Sequence, residues 1–388
     1  MTRARRDFPA CDGLRALAAG SVLLFHVATV TGQTVRNGSG PYLFQLDVGV
    51  DVFFVLSGFL LYRPFVSARL AGTRGPDVGR YVKRRFLRIF PAYWLALIAV
   101  LYVFHQATSR TTGDGLAFFS LTQIYSSERI LGGLVPAWTL CTEIAFYFFL
   151  PVYAFTMGYF VRGKSSLRAE LLGVGVLYIA SAVFRLTTSP HGSGLTTSWL
   201  PSYLDVFALG MLLAVLTVAA EQGLATRWWN AVPADAAVWW GAAIALFVAM
   251  ANLGMPLTLA AVSPEKYFVH HLFAGTVGVL LVCPAVLHTG NGGRIREVLA
   301  SRPLRALGLI SYGIYLWQLP WIVQVGKWMG RQPFSGGFWP VLLLSLPLTL
   351  ITALVSYVLV ERPLLGSRPR ETGGSGVAAA IPSEIAAD

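Results

Sequence analysis

The side chains able to do chemistry are few in this chain, and they sit where charge is expensive. His26, Asp51, Glu143, Asp205 and Gln318 interrupt long apolar runs, and Arg15, Arg84, Arg85 and Arg88 stand at the ends of two of them. Ionisable groups inside a membrane span are costly and mark function by default. A neutral imidazole is well poised to take a proton from a hydroxyl near neutral pH, and clustered guanidinium groups grip phosphate or carboxylate through a planar fork. Taken singly, each group also has a plainer reading. His26 alone is equally well a satisfied hydrogen-bonding group, Arg84 to Arg88 a positive anchor at the membrane surface, and Asp12 with Arg15 an (i, i+3) ion pair at a helix start. Asp51 and Asp205 are evenly balanced, with Arg185 a natural partner for Asp205. Glu143 resists such treatment, because a lone carboxylate well inside a span needs a partner or a water-filled cavity. His270 and His271 fall at an outer helix start, where exposure is expected, and His105, His191 and His288 fall in loops or at interfaces.

The elements that must position these groups follow from composition. Of the 388 residues 55% are hydrophobic and 12% charged, about half the charged share of a soluble domain. The chain reads as all-α, a polytopic membrane bundle. Ten apolar runs are long enough to span: residues 14–32, 43–62, 86–104, 136–160, 170–187, 201–220, 236–253, 269–288, 307–325 and 339–360. The first carries Arg15 and His26 and has no small-residue cleavage site, so it is read as a retained span rather than a signal peptide. With the N-terminus inside, the inner segments hold 21 of the 30 Lys and Arg and the outer loops hold 6, which sets both termini in the cytoplasm. The same asymmetry accounts for the net charge of +12 without a nucleic-acid partner, since a nucleic-acid reading requires a basic face on a soluble domain. Cys11, Cys141 and Cys283 have no metal-ligand spacing and read as small core residues. Residues 1–365 form the expected transmembrane domain and 366–388, rich in Gly, Ser, Ala and Pro, a disordered cytoplasmic tail. The longest outer loop, 105–135, has a semi-apolar middle suited to the interface or to re-entry.

On this topology the polar groups fall into two layers. His26, Glu143, Asp51, Gln318 and Asp205 lie about 6 to 12 Å below the outer surface at about 1.5 Å per residue. Arg15, Arg84, Arg85 and Arg88 lie at the inner ends of spans one and three. Arg85 and Arg88 share a helix face, and Arg15 and His26, eleven residues apart, return to within roughly 20° of one face about 16 Å apart along the axis. Such a face suits a long anionic ligand that enters from the cytoplasm with its reactive end toward the outer half.

Several stretches together resemble the membrane acyltransferase 3 family. They are Cys11-Asp12-Gly13-Leu14-Arg15 with Phe25-His26, then Gly49-Val50-Asp51-Val52-Phe53-Phe54-Val55-Leu56-Ser57-Gly58-Phe59, and Arg84-Arg85-Phe86-Leu87-Arg88-Ile89-Phe90-Pro91. Trp138-Thr139-Leu140 with Glu143 and Tyr147, and Ser311-Tyr312-Gly313-Ile314-Tyr315-Leu316-Trp317, complete the set. The resemblance covers residues 10 to about 363, nearly the whole apolar region. It implies ten helices that move an acyl group, acetyl or another short acyl, from cytoplasmic acyl-coenzyme A to a hydroxyl of a sugar-containing or lipid-linked acceptor. The family's histidine falls on His26 and its paired arginines on Arg85 and Arg88. Many members carry His where this chain has Gln318. Some append an extracytoplasmic esterase-like domain, for which the sequence offers no segment, so transfer is expected from this chain alone or with a separate protein.

The expected division of labour is His26 as base, Glu143 orienting it or holding the acceptor, and Arg15, Arg85 and Arg88 on the coenzyme A phosphates. Asp12, Asp51, Ser57, Tyr147, Asp205, Tyr315 and Gln318 form the remaining acceptor or polar-layer set, with helix packing the plainer role for Ser57, Tyr147 and Tyr315. No metal and no tightly bound cofactor is expected; acyl-coenzyme A is a co-substrate, membrane lipids are neighbours, and the setting is the inner, cytoplasmic membrane. Two other readings remain: an acyltransferase acting on a macrolide-type metabolite, and a flippase or transporter of a lipid-linked sugar. Against the transporter stands the absence of an internal repeat.

Overall fold

The computed structural model describes residues 8–365 apart from 37, 108, 110, 161–165, 190–193, 225–231, 258–261 and 288–292. The expected cytoplasmic tail, His191 and His288 lie outside the described residues. Ten principal helices follow in order: α1 (Pro9–Thr31), α2 (Gly49–Leu70), α3 (Val78–Ile98), α4 (Trp138–Phe160), α5 (Ser166–Thr188), α6 (Leu200–Glu221), α7 (Ala236–Ala251), α8 (Pro264–Val286), α9 (Ser311–Trp328) and α10 (Phe338–Ser356). Among the described residues there is no strand, and the chain is a helical membrane bundle, as its sequence predicts. Local signals start and stop the helices. Proline opens the first turn of α1, α6 and α8, where its missing N–H costs nothing. Asp77 and Asp235 cap α3 and α7 by accepting from the Arg80 and Ala237 backbone amides, and Gly32 ends α1 in the left-handed region at φ 72°.

Eight of the ten expected spans are helices long and apolar enough to cross a membrane. The other two depart from the simple count. Helix α7 has 16 residues, about 24 Å of rise, which falls short of a bilayer core of about 30 Å. The ninth run does not continue smoothly from 307: a short helix, Arg302–Leu309, meets α9 at a 66° bend. The bend has a cause in the packing. Gly308 sits so close to the backbone of Asp12 that an added Cβ would lie 2.1 Å from its carbonyl oxygen, and the Ser311 hydroxyl donates to the Gly308 carbonyl across the break. The short helix is thereby pressed on the start of α1, bringing Asp12 and Arg15 beside the first turn of α9.

Helices α2 and α6 form the centre of the bundle through reciprocal glycines. A Cβ on Gly58 would fall 2.2 Å from the Phe207 carbonyl oxygen, and one on Gly210 would fall 2.0 Å from that of Val55. Small residues at such crossings allow backbones to approach where lipid supplies no hydrophobic drive. Gly210→Ala is therefore expected to force the pair apart at a cost of about 1–3 kcal/mol, read as a lower melting temperature in detergent. Gly20→Ala, with nothing within 4 Å of the added carbon, is the control and should be neutral or better.

Peripheral α5 turns Leu172, Val176, Ile179 and Val183 outward, a lipid-facing stripe at helical spacing. Polar contacts hold its other face. Buried Glu170 accepts from the Tyr62 hydroxyl and the Arg69 guanidinium, the Ser181 hydroxyl donates to the Pro201 carbonyl, and Arg185 reaches Asp205 on α6 at 3.7 Å. The loop between α3 and α4 folds back on the bundle: Leu121, Gln123 and Ile124 are buried, and the Tyr93 hydroxyl and Trp94 indole donate to the Phe118 and Phe119 carbonyls. The cysteines at 11, 141 and 283 are free and buried, in keeping with core roles.

Candidate active site

A cavity of about 80 Å³ lies between α1, α2, α3, α4 and α9, large enough for several waters. One part of its lining is cationic. Arg15 comes from the first turns of α1, and Arg85 and Arg88 come from one face of α3, as their spacing of three requires. Arg15 is paired with Asp12 at 3.0 Å, the ion pair expected at that helix start. Arg85 lies over the Tyr147 ring at 5.8 Å, and its Nε is buried without a hydrogen-bond partner. Arg88 makes no hydrogen bond or ion pair among the described residues. Neither Arg85 nor Arg88 is hydrogen-bonded to a carboxylate among the described residues, and with Arg15 they face one space, an arrangement that an anion would complete.

The middle of the cavity belongs to Glu143. Its Oε1 accepts from Ser57 Oγ on α2 and from the Tyr147 hydroxyl one turn along α4, each at 2.7 Å. Both hydroxyl protons are committed to one carboxylate oxygen, which fixes the rotamer and leaves Oε2 for another donor. Ser57 and Tyr147 are therefore more than packing residues, since they hold the acid in place. The far wall is formed by Phe53, Thr139 and Tyr315. The Tyr315 hydroxyl donates to the Pro136 carbonyl at 3.0 Å and lies 2.7 Å from Thr139 Oγ1, and its ring meets Phe53 edge-on at 6.1 Å.

Apart from Glu143, the expected polar layer divides into three parts. His26 and Gln318 do not line the cavity. Gln318 is one turn beyond Tyr315 on α9, fully buried, with its amide beside the His26 ring; Gln318 Oε1 and His26 Nδ1 are both buried without partners. Asp51 turns the other way, toward Gly278 of α8, and its Oδ1 is likewise unpaired. Asp205 accepts from or shares a proton with His271 Nε2 at 2.8 Å in addition to its contact with Arg185. The outer-start expectation for His271 is thus corrected: it is 7% exposed, because α6 supplies it with a buried carboxylate. His270 is half-buried against Gln45, while His105 is exposed in its loop.

Sequence reasoning missed three contributors. Tyr312 lines the cavity and donates to the Ile89 carbonyl, and Thr139 braces Tyr315; both lie inside quoted motifs but carry no charge to single them out. Glu361 sits at the end of a π-helical turn, Tyr357–Glu361. It is 4% exposed and within electrostatic reach of Arg88. Standing next to Arg362 at the end of an apolar run, it reads in the sequence as part of a charged flank.

Against known proteins the chain matches the acyltransferase domain family over residues 8–361. It is 25% identical to the peptidoglycan O-acetyltransferase OatA of Listeria monocytogenes, with 93% of this chain and 56% of that protein aligned. A putative peptidoglycan O-acetyltransferase of Bacillus subtilis, YrhL, is 26% identical over 94% of this chain and 56% of its own length. A putative membrane-bound transacylase of Komagataeibacter xylinus, BcsY, is 28% identical over 92% and 82%. The chain therefore spans about half the length of the two peptidoglycan relatives. No solved structure matches it. With its arginine-lined cavity, its pinned glutamate and a family match across nearly every helix, the chain belongs to the acyltransferase 3 family.

Proposed function

We propose that this protein is a multi-pass O-acyltransferase of the cytoplasmic membrane that moves a short acyl group from acyl-coenzyme A to a hydroxyl of a sugar-containing acceptor. The observation that carries the reading is the convergence of Arg15, Arg85 and Arg88, with Arg85 Nε left without a hydrogen-bond partner, on the cavity that holds Glu143. Phosphates of the donor complete the charge of these three groups, and the thioester arm runs along the cavity toward the outer half. A hydroxyl of the acceptor attacks the thioester carbon, a base takes its proton, and the thiolate leaves with a proton to give free coenzyme A and the ester. His26 serves as that base and Glu143, through Oε2, holds the acceptor hydroxyl. The aligned relatives named as peptidoglycan O-acetyltransferases favour a glycan as acceptor.

The test is kinetic, with purified protein, acetyl-coenzyme A and glycan fragments. Arg85→Ala and Arg88→Ala should each raise the KM for acyl-coenzyme A by about 10- to 100-fold, the value of one or two charged hydrogen bonds, and leave the KM for the acceptor near its starting value. Equal losses for both substrates would assign the arginines to folding instead.

A further inference from the structure

The cavity that would take the donor stops at Tyr315, yet His26 and Gln318 lie one helical turn beyond it. We propose that Tyr315 is a partition between a donor chamber open to the cytoplasmic side and an acceptor side that contains His26, and that the turn Val135–Ala137 locks it. The inference rests on the acyltransferase reading for its purpose, though not for its test.

Three observations carry it. The Tyr315 ring and the Phe53 ring close the cavity wall between α9 and α2. Phe53 packs on both sides of the seam, against the main core and against the separate cluster that contains Leu23 and Val27 of α1, the residues flanking His26. Beyond the ring pair the polar atoms His26 Nδ1 and Gln318 Oε1 are buried and unpaired, as expected of a compartment completed by another molecule. The Tyr315 hydroxyl is held by the Pro136 carbonyl, in the short 3₁₀ turn that joins the outer loop to α4, and by Thr139 Oγ1 in the first turn of α4. Movement of that turn and of the first residues of α4, such as an acceptor would cause on docking, breaks both hydrogen bonds and frees the ring to turn. Until then water on the outer side is kept from the thioester.

Substituted-cysteine labelling tests this without donor or acceptor. Leu60 lines the cavity and is half-buried. Leu60→Cys, in vesicles of known sidedness, should react with a small anionic methanethiosulfonate from the cytoplasmic face alone, above the background of the parent chain with its three buried cysteines. Adding Tyr315→Ala should open labelling from the outer face as well, and raise acceptor-independent hydrolysis of acetyl-coenzyme A to acetate and coenzyme A. Tyr315→Phe keeps the ring and removes only the lock, so outer labelling should rise to an intermediate level. It also covers the case in which the alanine variant does not fold. Outer labelling of Leu60→Cys with Tyr315 intact, or no outer labelling in either Tyr315 variant, would overturn the partition. Either result leaves the donor kinetics of Arg85 and Arg88 to decide the acyltransferase reading separately.

Discussion

Glu143→Gln should lower acyl transfer by at least about a hundredfold, the lower range for loss of a positioned acid–base group, while the protein keeps its melting temperature. The two halves of this expectation come from the same geometry. Glutamine retains an oxygen with two lone pairs where Glu143 Oε1 accepts from Ser57 and Tyr147, so the contact between α2 and α4 survives. What disappears is the negative charge and the acceptor oxygen Oε2. Glu143→Ala is the informative contrast, because it leaves two buried hydroxyls without an acceptor and adds a structural cost of about 1–3 kcal/mol. The pair of variants separates chemistry from architecture: a glutamine enzyme that is stable and inactive assigns the chemistry to the carboxylate, whereas near-normal turnover would reduce Glu143 to a helix-packing residue. Measuring acetyl-coenzyme A turnover and thermal unfolding on the same preparations decides it.

The individual residues explain how much of this was legible in sequence. Periodicity and run length found every principal helix, because a spanning helix must satisfy its own backbone and leaves a long apolar record. Glu143 stood out for the cost of an isolated membrane carboxylate, and Tyr147, four residues on, could be placed on its face by helical spacing alone. Ser57 could not, since it is 86 residues away and only the approach of α2 and α4 brings it in. Arg15 and His26 were expected on one helix face, yet the cavity takes in only Arg15: what separates them is Tyr315 of α9, and α1 alone contains no trace of it. His271 shows the same limit. A position near a helix start suggests water, but its neighbour is Asp205, 66 residues earlier. The bend before α9 is likewise set by the Gly308 contact with Asp12, a non-local close approach that an apolar count passes over.

His26→Ala carries the other large effect, and its signature should differ from that of the arginines. Loss of the base is expected to lower transfer by about 100- to 10,000-fold, with the KM for acyl-coenzyme A unchanged, because His26 stands outside the cavity formed by Arg15, Arg85 and Arg88. Truncation to alanine also opens a void beside Leu23 and Val27 and is expected to lower the melting temperature somewhat. His26→Gln is therefore the cleaner variant: it keeps much of the side chain's volume and a hydrogen-bonding group beside Gln318, and should lose transfer to a similar extent with little loss of stability. Near-normal transfer by either variant at unchanged expression would mean that another group takes the proton, with Glu143 the candidate base.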